Sequence, residues 1–244
     1  KTDSGLEGIG EADSSPEVVQ AIIDAPFSHN IARGLREVLL GENPLETGRL
    51  WEKMFRQTMF FGRSSVTISA MAAIDMALWD LKGKQANMPV HDLLGGKCRM
   101  AAPVYVHASG NTIEETCQQA GEFWQQGFRH VRLQVAVDGQ ATYGTKSDLQ
   151  VAAEVDSPTN PHNLFEPADY VRLAPQLFAT ARDQLGDEIE LLHDIHERLP
   201  GPLALQLAKE LEPYRLFFLE DPLPPEEIDH FRLLRQHTHI PIAM

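Results

Sequence analysis

The rhythm of hydrophobic and polar residues changes near residue 100. Before that point apolar positions recur three to four apart, and they predict helices over 16–40, 45–60 and 65–85. In the third stretch Ile68, Met71, Ala72, Met76, Trp79 and Leu81 follow a helical period, and Asn87, Met88 and Pro89 end it. Pro16 suits a first helical turn and Gly41 a stop. The glycine-rich stretch 2–12 is expected to be the end of a strand or hairpin, and it opens as if an earlier strand were missing.

Beyond Arg99 short apolar runs alternate with longer amphipathic ones. Strands are predicted at 102–107, 128–134, 189–194, 215–220 and 240–243, with helices at 113–125, 167–184, 203–211 and 225–236. Such alternation implies parallel strands joined by helical crossovers, in a barrel or an open doubly wound sheet. The expected division is therefore a domain over 1–99 and the first part of a β/α domain over 100–244. A closed eight-stranded barrel takes about 250 residues by itself. Five strands cannot close one, so the expectation is a barrel incomplete at its C-terminal side, or an open sheet. The wide gap between the second and third strands holds 139–163, with Tyr143, Gly144, Pro158 and Pro161, and reads as a long insertion. In a barrel such a loop rises over the catalytic face.

Composition narrows the functional classes. A formal net charge of −14 leaves no basic stripe for phosphates, which argues against nucleic-acid binding. An anionic substrate would have to be held by a metal or by a placed Arg, because the overall field repels it. Cys98 and Cys117 lack metal-ligand spacing and read as reduced thiols. With no membrane-length apolar run and no apolar leader in the first residues, a cytoplasmic protein without membrane contact is expected.

Candidate chemistry collects at strand ends. In LLHDIH (191–196) strand alternation puts Asp194 and His196 on one side and His193 on the other. In FFLEDP (217–222) Pro222 stops the strand just after Glu220 and Asp221. Asp194 and Glu220 thus take equivalent places on neighbouring strands, at the end where barrels keep their chemistry. Two converging carboxylates repel unless a cation lies between them, and Mg²⁺ is a suitable one. The bland alternative is that the acids cap the next helix. Arg132, on strand two, has its own bland alternative, a structural ion pair with Glu220 or another acid.

Three motifs carry a family resemblance. AIDMALWDLKGK (73–84), followed by Pro89 and LLGG (93–96), resembles the capping-domain signature of the mandelate racemase branch of the enolase superfamily. LLHDIHERL (191–199) and YRLFFLEDP (214–222) resemble the third- and fourth-strand motifs of its mannonate dehydratase-like members. The resemblance implies an α/β fold, a modified TIM barrel with an N-terminal α+β capping domain, that holds Mg²⁺ by acids on strands three, four and five. Asp194 and Glu220 match the first two ligands, and the third would follow just after Met244. Many relatives carry a catalytic Lys on strand two, where this chain has Arg132-Leu133-Gln134. The resemblance instead points to Tyr143 assisted by Arg132 for proton abstraction and likens His107 to a substrate-contacting His, and leaving-group protonation is then expected of His196; the bland alternatives are an ordinary loop Tyr and structural histidines. Asp75 and Asp80 read as helix residues fixing the capping domain to the barrel.

The implied activity is dehydration of an acid sugar by a homo-oligomeric enzyme. The segment 11–15 (EADSS) departs from the mannonate dehydratase pattern, so D-mannonate, D-gluconate and other aldonates stay open. The rival readings are a racemase or epimerase of an α-hydroxy acid and a weakly catalytic sugar-acid binding or regulatory protein.

Overall fold

The computed structural model describes residues 1–135, 137 and 165–244. The chain forms two compact units, Lys1–Ala101 and Ala102–Met244.

The first unit is helical: α1 (Pro16–Asp24), α2 (Leu35–Leu39), α3 (Thr47–Gln57), a 3₁₀ turn (Met59–Phe61), α4 (Val66–Ala86) and α5 (Val90–Leu93). Leu35, Val38, Met54, Ala70 and Met71 form one buried cluster, and Leu50, Leu78 and Leu81 form another. The helix predicted over 16–40 is two helices. Ala25 precedes Pro26, whose ring disfavours helical geometry in the residue before it, and Ala25 is extended with ψ at 135°. Gly34 then opens α2 where a Cβ would lie 2.2 Å from the Ala25 carbonyl oxygen, so only glycine lets the chain fold back there.

The predicted strand over 2–12 is absent. That segment lies along α4 instead, where a Cβ on Gly10 would meet the Ala73 carbonyl oxygen at 1.8 Å. Two of its backbone groups are satisfied by α4 side chains rather than by a ladder. The Ile9 N–H donates to Asp80 at 2.9 Å, and the Glu7 carbonyl accepts from Lys84 at 2.7 Å. Asp80 thus serves its own unit.

The second unit contains β1 (Tyr105–Gly110), α6 (Ile113–Gln125), β2 (His130–Val135), α7 (Pro167–Leu185), β3 (Glu190–Asp194), α8 (Gly201–Leu211), β4 (Phe218–Glu220), α9 (Ile228–His237) and β5 (Ile242–Ala243). All neighbouring pairs are parallel and the order is β1-β2-β3-β4-β5. A doubly wound sheet reverses its strand order at a switch point. This sheet does not, so it winds as part of a β/α barrel. No helix among the described residues is long and apolar enough to cross a membrane.

Strand alternation sorts the side chains. Val131, Leu133, Leu191 and Leu219 join Leu177, Phe178 and Leu207 of the covering helices in one buried core. Arg132, Gln134, Asp194 and Glu220 alternate with them onto the opposite face. Three elements start three residues later than the sequence reading. β1 starts after Pro103, which has no N–H to donate, so His107 sits within the strand rather than at its end. β4 starts only at Phe218, because Arg215 is left-handed at φ 49° after a 3₁₀ turn. α9 starts past Pro224-Pro225, whose geometry delays the helix to Ile228.

Cys117, on α6, is buried in this core, and burial pushes its thiol up to about 11, whereas Cys98 is exposed. Brief treatment with a thiol reagent at pH 8 should therefore modify Cys98 and spare Cys117 until denaturant is added, as read by peptide mass mapping.

Candidate active site

Arg132 is the centre of the polar face. The residue is 4% exposed. Nη1 bonds Asp194 Oδ2 and lies 3.7 Å from Glu220 Oε2. Nη2 lies 3.1 Å from His107 Nδ1. A guanidinium can only donate, so Nδ1 accepts and the His107 proton sits on Nε2. Burial and the Arg132 charge lower the His107 pKa from its ordinary value. Among the described residues Arg132 Nε is buried without a hydrogen-bond partner.

The register explains this convergence. Asp194 pairs with Glu220 across β3 and β4, while His107 pairs with Arg132 across β1 and β2. Adjacent parallel strands lie about 4.8 Å apart, so one long Arg side chain reaches both carboxylates and the imidazole.

Asp194 is 2% exposed, and burial pushes its carboxyl up to about 6 against the opposing pull of the His196 N–H and of Arg132. The desolvation penalty therefore exceeds what one Arg partner returns. The carboxylate still ionises at neutral pH.

His196 reaches the same carboxylate by a route that strand alternation does not describe. β3 ends at Asp194, and His196 and Glu197 are both left-handed, with φ at 54° and 58°. The turn is held by the His196 N–H donating to Asp194 Oδ1 at 2.8 Å, and it brings His196 Nε2 within 3.0 Å of Asp194 Oδ2. Asp221, just past Glu220, is also left-handed at φ 41°. Non-glycine residues in this region carry about 1–2 kcal/mol of strain each, and such strain gathers at functional sites. Burial, with the charges of Arg132 and Arg198, lowers His196 to about 4, so its ring is neutral here at pH 7.

His193 does take the opposite face. Nδ1 lies 2.9 Å from the Leu133 carbonyl, so it carries the proton, and Nε2 accepts from the Tyr170 hydroxyl at 2.8 Å. Burial lowers it to about 4.

The structure thus brings Arg132, Asp194, His196, Glu220 and His107 into one contact network. Tyr143 lies outside the described residues. Two members were missed from sequence. Tyr105 donates from its hydroxyl to Glu220, 3.0 Å from Oε1 and 3.2 Å from Oε2. Gln134 Nε2 donates to the Asp194 carbonyl at 2.7 Å. The signal for Tyr105 was present, since it stands two residues before His107 and shares its face.

Asp194 and Glu220 are the pair able to hold a divalent cation. Both present hard oxygens to one point, now neutralised by Nη1 of Arg132, and that donor chemistry fits Mg²⁺. Among the described residues no cluster of three acidic, His or Cys side chains surrounds a possible ion, so further oxygen donors would have to come from elsewhere.

Comparison with known proteins adds three findings. Residues 1–95 match the family model described as mandelate racemase / muconate lactonizing enzyme, N-terminal domain, and residues 115–244 match the one described as enolase C-terminal domain-like. The whole chain aligns at 39% identity with a D-mannonate dehydratase of Caulobacter vibrioides, and at 38% with a D-galactonate dehydratase family member of Halomonas elongata. It also superposes, at a TM-score of 0.78 and 35% identity over its full length, on an enolase from Pantoea ananatis crystallised with D-gluconate and Mg. In each case the chain spans 59% of the length of the protein it matches.

Proposed function

The chain belongs to the mandelate racemase / muconate lactonizing branch of the enolase superfamily, and on that basis we propose that the protein is a Mg²⁺-dependent hydro-lyase that dehydrates an aldonate. The observation that carries this reading is the meeting of Asp194 and Glu220, from neighbouring strand ends, at one cationic point beside His196. Relatives named for mannonate and galactonate dehydration, and a structural neighbour holding gluconate with Mg, support the substrate class.

Asp194 and Glu220 would hold the ion, and Mg²⁺ bound there would supply positive charge against the charge that builds on the substrate carboxylate. Tyr105 orients Glu220 by donating to its carboxylate. Tyr143 takes the proton from carbon 2, its phenolate favoured by the Arg132 cation. His196 gives a proton to the hydroxyl departing from carbon 3. It stands neutral in the arrangement described, so it has to take up a proton before that step. His107, which bears its proton on Nε2, is a substrate hydrogen-bond donor. The product is a 2-keto-3-deoxy sugar acid.

The test is an aldonate panel with the full-length protein, Mg²⁺ and keto-acid detection, run also in deuterated water. Keto acid should form from at least one aldonate. Deuterium entering at carbon 2 with no keto acid would replace dehydration by epimerisation. Tyr143→Phe and His196→Asn should each lower turnover by about 10²–10⁴-fold, the usual worth of a general acid or base, with unchanged circular dichroism. Full activity in either variant removes that residue from the mechanism.

A further inference from the structure

The ladder between β2 and β3 stops short of the site. Its register pairs run from His130↔Glu190 to Arg132↔Leu192, whereas β1 stays paired to β2 as far as Val135. Glu190 donates its N–H to the Arg129 carbonyl, so alternate residues of β3 aim their peptide groups at β2, and the Asp194 carbonyl is among them. With the ladder ended, that buried carbonyl would lack a backbone donor, a costly state.

The Gln134 carboxamide fills the place, with Nε2 at 2.7 Å and the residue 2% exposed. Tyr170 Oη lies 3.4 Å from the same carbonyl. Its single proton is committed elsewhere, because His193 Nδ1 must donate to the Leu133 carbonyl and Nε2 therefore accepts from Tyr170 at 2.8 Å. Gln134 is itself anchored, since its backbone carbonyl accepts from Thr116 Oγ1 at 3.0 Å. β2 thus grips Asp194 twice, by Arg132 at the carboxylate and by Gln134 at the carbonyl.

We propose that Gln134 is a positioning residue that sets the Asp194 carboxylate for the cation by substituting for the missing β2–β3 ladder bond. The inference rests on the reading of Asp194 as a metal ligand given above. An amide suits the task and a base would not, because the carbonyl needs a donor that stays neutral in a buried place. Fixing the peptide unit fixes the direction of the Asp194 Cα–Cβ bond, and with it the carboxylate.

The experiment is calorimetric titration of Mg²⁺ into chelator-treated full-length protein. Gln134→Met keeps the volume but removes the donor, and Gln134→Asn keeps the amide but is a methylene short. Each should weaken Mg²⁺ binding by about 10–100-fold, the usual cost of losing an outer partner of a metal ligand. Tyr170→Phe leaves the Gln134 bond in place and should stay within about threefold of the parent, well below that loss. Parent-like affinity in both Gln134 variants overturns the proposal. So does an equal loss in Tyr170→Phe, which would mark general softening of the buried cluster. If Gln134→Met does not fold, Gln134→Asn decides alone. A parent that binds Mg²⁺ tightly, weakened by the Gln134 changes but inert toward every aldonate, would sink the dehydratase reading and leave the positioning role standing. A parent that binds no Mg²⁺ sinks both.

Discussion

Asp194→Asn in the full-length protein is expected to lower turnover by at least about 10³-fold and to weaken Mg²⁺ binding severely, because a buried anion that grips the cation becomes a neutral amide. The amide nitrogen also brings donors toward Arg132 Nη1 and His196, both of which now face carboxylate oxygens. The variant should differ from the parent in pH dependence as well. Metal binding needs the ionised carboxylate, and burial raises Asp194 to about 6. Parent affinity should therefore fall as pH drops below about 6, far above the range of an exposed Asp, and that inflection should vanish in the variant. Stability in chelator gives the opposite sign. A carboxyl raised in the folded state contributes stability that is complete below its unfolded pKa, about 3.9, and lost as pH rises through about 6. The melting temperature of the variant relative to the parent should then climb between pH 4 and pH 6. A flat difference would mean that Asp194 is not held in the buried, partly compensated state described.

The second large effect is on folding. Arg132→Ala in chelator should cost about 3–5 kcal/mol, the usual penalty for leaving one partner of a buried ion pair uncompensated. For 150–250 folded residues that corresponds to a fall of about 6–20 °C in melting temperature. The loss follows from Asp194 and Arg132 being 2% and 4% exposed, with no second cation bonded to that carboxylate in the network described. It should shrink toward pH 4.5, where Asp194 takes up a proton and no longer needs a counter-charge. It should shrink also in Arg132→Met with Asp194→Leu, which removes both charges. Added Mg²⁺ should restore more stability to Arg132→Ala than to the parent, since the ion replaces the lost charge. An Arg132→Ala protein as stable as the parent at pH 8 would show that the pair is not the buried contact described here.

Much of this was legible in the chain. α6 was predicted at its observed bounds, Ile113–Gln125, and the structure shows Thr112 capping it by accepting the Glu115 N–H. Asp194 and Glu220 were paired from their equivalent places in two apolar runs, and the β3–β4 register pairs them. The failures have local causes too. The helix over 16–40 was drawn through Pro26, and the strand over 2–12 was inferred from composition for a segment that α4 side chains satisfy instead.

What the sequence determined by itself is the order of elements and the side of each strand on which a residue stands. Both follow from backbone periodicity, which repeats along the chain without reference to anything distant. Which groups touch was decided only by the tertiary structure. Arg132 came to lie between the two carboxylates, Tyr105 under Glu220 and Gln134 on the Asp194 carbonyl through strand register and the place where one ladder stops. Those depend on how side chains from separate elements pack and on the cost of burying unpaired charge, and neither quantity is written in any local stretch of residues.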